Sequence, residues 1–241
     1  MTSLDSGSGS SRWPRTFGQE LAVLLLIAAV VTVFFMFVVN PLIGWPTVAP
    51  MPARSIILAL AIIWIARQRG ESLSAFGLAR PQRIWLAVVL GIVFVAINLF
   101  ALQPLKDLLG DAVNAPPADL STLEHIHGNL AAYLVWLVAA WVAAAFSEEF
   151  IFRGYFLNRI AAIGNGTVLA WCLAILVQAV VFGLGHLYAG PGVALKVGIG
   201  ALFSGVFFLI AGRNLWALIL AHGIWDTAGL TLIYLTGTPS T

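Results

Sequence analysis

The chain has 241 residues, 61% of them hydrophobic and only 9% charged, with a mean hydropathy of +0.98. A soluble domain averages roughly half apolar and a quarter charged residues, so this composition excludes a soluble globular protein and points to a polytopic membrane protein. A formal charge of +2, with no basic run longer than Arg67-Gln68-Arg69, argues against nucleic acid as a partner, and the single cysteine permits no disulfide within the chain.

The first 18 residues are rich in Ser and Gly, carry Arg12 and Arg15, and read as a disordered cytoplasmic tail. Residues 19–241 read as one transmembrane domain. Residues 21–39 run for 19 positions without a formal charge, too long for a typical cleaved signal core and suited to a retained anchor helix. Residues 51–66 are a weaker candidate, because Pro46, Pro50, Pro52 and Arg54 crowd their start; a short, tilted or re-entrant span is expected. Residues 84–102 are a second strong run, interrupted only by Asn98.

Residues 103–129 hold Asp107, Asp111, Asp119, Glu124 and Pro116-Pro117, and read as the longest polar loop with a short interfacial helix. Apolar helices resume near Leu130, Val168, Val193 and Leu215, separated by Gly164-Asn165-Gly166, Gly190-Pro191-Gly192 and Gly212-Arg213-Asn214. The expected fold is all-α, a polytopic transmembrane helix bundle of about seven spans. In that layout nine basic residues fall on one side (Arg12, Arg15, Arg67, Arg69, Arg80, Arg83, Arg153, Arg159 and Arg213). Three fall on the other (Arg54, Lys106 and Lys196). The asymmetry predicts a cytoplasmic N-terminus and an external C-terminus, with the plasma membrane as the expected location.

Three clusters set ionisable residues inside apolar stretches: Glu148-Glu149-Phe150-Ile151-Phe152-Arg153, Phe182-Gly183-Leu184-Gly185-His186 and His222-Gly223-Ile224-Trp225-Asp226. Each such group costs several kcal/mol in a bilayer, so it faces a polar interior and serves a function by default. Glu149 and Arg153 are four apart, acid first, the better order for a helical ion pair. Glu148 is turned by about 100° from Glu149 and is left for chemistry. The bland reading is an interfacial charge cluster. His186 taken alone reads as a packing histidine. His222 and Asp226 share a helix face, which suits a histidine oriented by a carboxylate or two ligands of one metal.

Glu148 stands 17 residues before Asn165 and His186 stands 21 after it, a height mismatch of only about 6 Å. His222, nine residues past Arg213, fits that depth less well. It matches only if the helices flanking Asn165 project beyond the bilayer. Cys172 reads as a core residue, and His125 with His127 as a solvated surface pair. Asn165-Gly166-Thr167 is a glycosylation sequon set in a tight cytoplasmic turn and is discounted.

In order, E-E-x-x-x-R, F-x-x-x-H and H-x-x-x-D on membrane helices resemble the CAAX-protease and bacteriocin-processing family, intramembrane endopeptidases that include the type II prenyl-protein proteases. The resemblance covers roughly residues 130–235. It implies hydrolysis of a peptide or protein substrate within the membrane. Glu148 would be the general base, helped by His186; His222 and Asp226 would polarise the scissile carbonyl or stabilise the oxyanion. Glu149 and Arg153 would support them.

Many relatives carry Asn where this chain has Asp226. An ionised Asp only accepts hydrogen bonds, so three roles stay open for it: protonated donor, orienter of His222, or metal ligand. Glu148, His186, His222 and Asp226 form a nitrogen–oxygen set suited to zinc, and a zinc-assisted metalloprotease is the label expected, although the family is also described as metal-independent glutamate proteases. Two other classes compete: a proton- or ion-coupled transporter, and a non-catalytic immunity or scaffold protein. A transporter would show broken helices in both halves, whereas these ionisable groups gather in the C-terminal half. Membrane lipid surrounds the bundle, and no oligomeric state is favoured.

Overall fold

The computed structural model describes residues 16–43, 50–81 and 83–238, and among these every regular element is helical. Seven long helices follow in chain order: α1 (Phe17–Val39), α2 (Pro50–Gln68), α3 (Ile84–Ala112), α4 (Leu130–Ile163), α5 (Val168–Leu184), α6 (Pro191–Ile210) and α7 (Trp216–Thr236). Five of them are long and apolar enough to cross a membrane. The two others are α5, apolar but 17 residues long, and α2, whose 19 residues include Arg54 and Arg67. The chain is thus an all-α membrane bundle, with five helices that meet the spanning requirement where about seven are expected from sequence.

Residues 1–15 of the expected tail, and Pro46, lie outside the described residues. The chain is already helical from Phe17. Thr16 Oγ1 accepts from the Gln19 amide at 3.3 Å, and the Gln19 side chain accepts from the Thr16 amide at 3.2 Å, a reciprocal cap. Large side chains on α1, including Leu25, Leu26 and Phe37, point outward, as a lipid-facing helix requires.

The polar loop is shorter than its composition suggests, because residues 103–112 continue α3. Asn98–Leu102 wind as a π turn, which changes the hydrogen-bond register just before Pro104, the residue that has no amide proton to give. Beyond it, Gln103 donates to Asp107 at 3.1 Å and Lys106 reaches back to Asn98 at 2.9 Å, so polar side chains stabilise the extension locally. The loop retains one 3-10 turn, Ser121–Ile126. There His125 accepts from Trp136 Nε1 at 2.9 Å.

Cys172 is exposed on the outer side of α5 rather than in the core. In lipid an apolar side chain gains little from burial, so hydropathy does not mark an inward face. Asn165 and Gly166 take positive φ (54° and 65°) in the tight turn between α4 and α5, and Thr167 caps α5.

Close helix contacts fall at glycine, where backbones approach without side chains between them. A Cβ on Gly183 of α5 would stand 2.7 Å from the Ala194 carbonyl of α6, and one on Gly91 of α3 would stand 3.0 Å from the Ala217 carbonyl of α7. On α7, a Cβ at Gly223 would stand 2.6 Å from the Trp141 ring of α4. Beneath these contacts lies an apolar core that includes Ile62, Ile65, Phe150, Phe208, Leu215 and Leu218.

One ion-pair network ties the N-terminal helices to α4. Glu20 is 1% exposed and meets Arg69 at 2.5 Å, Arg159 at 3.2 Å and the Tyr155 hydroxyl. Arg159 also bridges Glu71 at 2.6 Å.

Candidate active site

Helix α4 carries the first cluster, and there it leaves α-geometry: Ala140–Glu148 and Phe150–Phe156 wind as π-helix. The wider i→i+5 winding is common at functional sites. It permits Ser147 to donate to the Val142 carbonyl five residues back, at 2.7 Å. At 34 residues α4 greatly exceeds the roughly 20 needed to span a bilayer, so it projects beyond one.

Glu149 and Arg153 are almost fully buried, at 3% and 2% exposure. Arg153 Nη1 donates to Glu149 Oε1 at 3.1 Å, as the four-residue spacing predicts, and Nη2 donates to Ser204 Oγ of α6 at 2.5 Å. The guanidinium also lies 4.6 Å over the Phe182 ring. Arg153 therefore joins α4, α5 and α6.

The same Glu149 Oε1 meets His222 Nδ1 at 2.9 Å. The Arg153 bond marks Glu149 as an ionised acceptor, so Nδ1 carries a proton and donates it. This fixes the ring and turns Nε2 toward Asp226, whose Oδ2 stands 3.5 Å away. The structure thus brings the first and third clusters into direct contact. The carboxylate that holds His222 is Glu149, on another helix; Asp226, one turn along on α7, stands farther off.

Glu148, next in sequence, makes no hydrogen bond to another described residue and keeps part of its surface open. It lies within electrostatic range of His222, Asp226, Glu149 and Arg153. One carboxylate is engaged through its Oε1, with Oε2 buried and without a hydrogen-bond partner among the described residues, while its neighbour makes no such bond at all.

His186 sits just past α5. The Phe182 carbonyl, which can only accept, meets its Nδ1 at 2.8 Å, so Nδ1 donates and Nε2 is left as the acceptor. Burial holds the imidazole below its ordinary proton affinity, opposed in part by the Phe182 bond. His186 is accordingly neutral near pH 7.

Three more residues belong to this neighbourhood, and the sequence motifs do not announce them. Ser204 receives Arg153. Tyr188 lies two residues past His186, with its ring 5.9 Å from the imidazole and its phenol in electrostatic reach of Glu148 and Asp226. Its ring is half exposed, yet desolvation at the phenol end and those two carboxylates raise its proton affinity and keep it an O–H donor. Arg54, at the start of α2, acts on both His186 and Tyr188. The signal that could have found Tyr188 is its two-residue spacing from His186.

Among the described residues, no three His, Cys, Asp or Glu side chains converge as a metal ion requires. The carboxylate nearest His222 is already engaged by Arg153. The donor set as placed does not fit zinc, and no chemical step below passes through a metal. What the arrangement can do is hold a free carboxylate and a neutral imidazole beside a fixed histidine, the parts needed to deprotonate water and stabilise developing negative charge.

Residues 130–228 match the family model described as type II CAAX prenyl endopeptidase Rce1-like. No curated protein and no solved structure matches the chain. The match spans α4 to most of α7 and includes all six ionisable residues of the three clusters. Over this C-terminal segment, the chain is similar to the Rce1-like type II CAAX prenyl endopeptidases, in agreement with the resemblance its three motifs carry.

Proposed function

We propose that the protein is an intramembrane endopeptidase that hydrolyses peptide bonds with a water molecule activated by Glu148. The observation that carries this reading is the contrast between the two adjacent carboxylates. Glu149 is held through Oε1 by Arg153 and His222, whereas Glu148 is unbonded and partly open beside them. In this scheme Glu148 takes a proton from water as the oxygen attacks the scissile carbonyl carbon, with the acceptor Nε2 of His186 positioning that water. When protonated, His222 presents Nε2–H to the oxyanion, and Tyr188 offers a second O–H donor. Collapse of the tetrahedral intermediate breaks the C–N bond, and the proton held by Glu148 passes to the departing amine.

Glu149, Arg153 and Ser204 act as positioning residues. Asp226 bounds the far side of His222. With all seven helices crossing, the distribution of basic residues supports a cytoplasmic N-terminus, and the plasma membrane is the proposed location. His186 and Tyr188 then open toward the opposite face.

The test is cleavage of a quenched fluorescent peptide panel by purified protein in lipid, with Glu148→Gln and with chelator. Cleavage by the wild type, lost in Glu148→Gln at unchanged thermal stability, supports the assignment. Loss on chelation, restored by zinc, replaces the metal-free scheme with a metal-assisted one. Absence of cleavage by folded wild type across the panel, with and without added zinc, overturns the protease reading.

A further inference from the structure

Beside the candidate site lies a cavity of about 240 Å³ that borders Glu149, Arg153 and His222 and extends between α3, α6 and α7 to Lys106 and Lys196. Its charge is lopsided. Lys106, Arg153 and Lys196 face it, against the single carboxylate of Glu149, which Arg153 and His222 already engage.

Lys196 has a counter-charge, since its Nζ bridges Asp107 at 2.7 Å. Lys106 has none. It is only 7% exposed, and among the described residues it pairs with no carboxylate. Its Nζ donates to Asn98 Oδ1 at 2.9 Å and lies 5.5 Å over the Trp225 ring. A buried ammonium with a neutral acceptor and an aromatic face is poorly compensated. The Asn98 carbonyl oxygen is taken by Lys106, which leaves the Asn98 amide N–H groups as further donors. Facing them is Gly200, where a Cβ would come within 4.0 Å of the ammonium. Trp225 stands three residues past His222 on α7, and Lys106, Trp225 and His222 line the same cavity.

We propose that Lys106, with Asn98 and Lys196, forms a subsite for a carboxylate of the peptide being cleaved, either its C-terminal carboxylate or an Asp or Glu side chain near the scissile bond. This rests on the protease reading above. A carboxylate here completes the charge of the cavity and anchors the peptide in the same cavity that His222 lines, which turns a general hydrolase into a charge-selective one. The chemistry recognised is a planar anion with two acceptor oxygens, received by an ammonium and an amide.

The experiment uses matched peptides in lipid vesicles: C-terminal acid against amide, and Glu or Asp against Gln or Asn beside the cleavage site. Wild type is expected to favour one anionic member by about tenfold in kcat/KM, the scale of one charge-assisted hydrogen bond. Lys106→Gln is expected to reduce that preference to within about twofold, chiefly by lowering kcat/KM for the anionic peptide. Lys106→Arg is expected to retain it. Which pair responds tells terminal from side-chain carboxylate.

Binding of the same labelled peptides to Glu148→Gln, read by fluorescence anisotropy, separates the two hypotheses. Acid-selective binding that Lys106→Gln abolishes, with no cleavage by wild type, keeps the subsite and removes the protease. If Lys106→Gln fails to fold, Lys196→Gln and Asn98→Ala carry the comparison, with a loss of selectivity expected in either. An unchanged preference in the folded lysine variants, or no preference in wild type, overturns the proposal. A preference that follows the anionic-lipid content of the vesicle rather than peptide charge overturns it as well and assigns the cation to lipid.

Discussion

Gly223 offers a test that needs no knowledge of substrate. It lies between His222 and Asp226, and an added Cβ would fall 2.6–2.7 Å from three carbons of the Trp141 ring. The ring cannot slide away freely, because its Nε1 donates to Thr227 Oγ1 at 3.1 Å on the same helix α7. Gly223→Ala must therefore push α7 off α4, an overpacking that typically costs about 1–3 kcal/mol. Gly229 is the internal control. It is on the same helix, nothing lies within 4 Å of its built Cβ, and Ala there gains the usual helix-interior advantage of about 0.5–1 kcal/mol. The advantage applies at both positions, so the difference between the variants is the overpacking cost. At about 2–4 °C per kcal/mol for a chain of this size, Gly223→Ala should melt roughly 2–12 °C below Gly229→Ala in the same detergent. Activity should fall further than stability, because a few tenths of an ångström between α4 and α7 stretches the 2.9 Å bond from His222 to Glu149. Equal melting points and equal cleavage rates in the two variants would refute the close Gly223–Trp141 contact and the positioning argument built on it.

The two neighbouring carboxylates should separate cleanly. Glu148→Gln should lower kcat by at least about 10²-fold with little change in melting temperature, whereas Glu149→Ala should lower both, at a stability cost of about 3–5 kcal/mol for a broken buried pair; equal effects on melting temperature would contradict the division. Because burial depresses the proton affinity of His186, its neutral form persists through pH 7, and its protonation below the ordinary histidine value of about 6.5 should steepen the acid loss of activity that protonation of the Glu148 base produces on its own. His186→Gln should flatten that acid limb, and a pH profile identical to wild type would remove His186 from water positioning. Glu20→Ala should cost about 1–3 kcal/mol, measured as a lower melting temperature, because it leaves the buried Tyr155 hydroxyl without its acceptor while Arg69 and Arg159 keep Glu71; a shift under 2 °C would show the network to be dispensable.

Hydropathy and motif spacing made the essential outline legible: an all-helical membrane bundle, and the Glu149–Arg153 pair with Glu148 turned elsewhere. The depth argument left His222 poorly matched because it used ordinary helical rise and bilayer-length spans. The length and π winding of α4 change that estimate, and π winding has no signature in hydropathy. Asp226 looked like the natural orienter of His222 because it is one turn away on the same helix. The closer carboxylate comes from 73 residues earlier in the chain, a pairing no local pattern encodes. The extension of α3 past Pro104 was hidden for a similar reason, since its acidic residues resemble a loop until their partners are seen. Lys106 entered only the count of basic residues and Glu20 belonged to no motif, and the burial of both follows from tertiary contacts alone.

The Glu20 network also bears on how the chain is made. Synthesis is vectorial, so α1 enters the membrane with a carboxylate near its start and no partner for it. Arg69 emerges 49 residues later and supplies the first counter-charge. Tyr155 follows Glu20 by 135 residues, roughly 7–27 s at translation rates of about 5–20 residues per second. Until then α1 and α2 can form only a provisional hairpin. The final clamp waits for α4, so docking of the first helix is timed by arrival of the helix that carries Glu148.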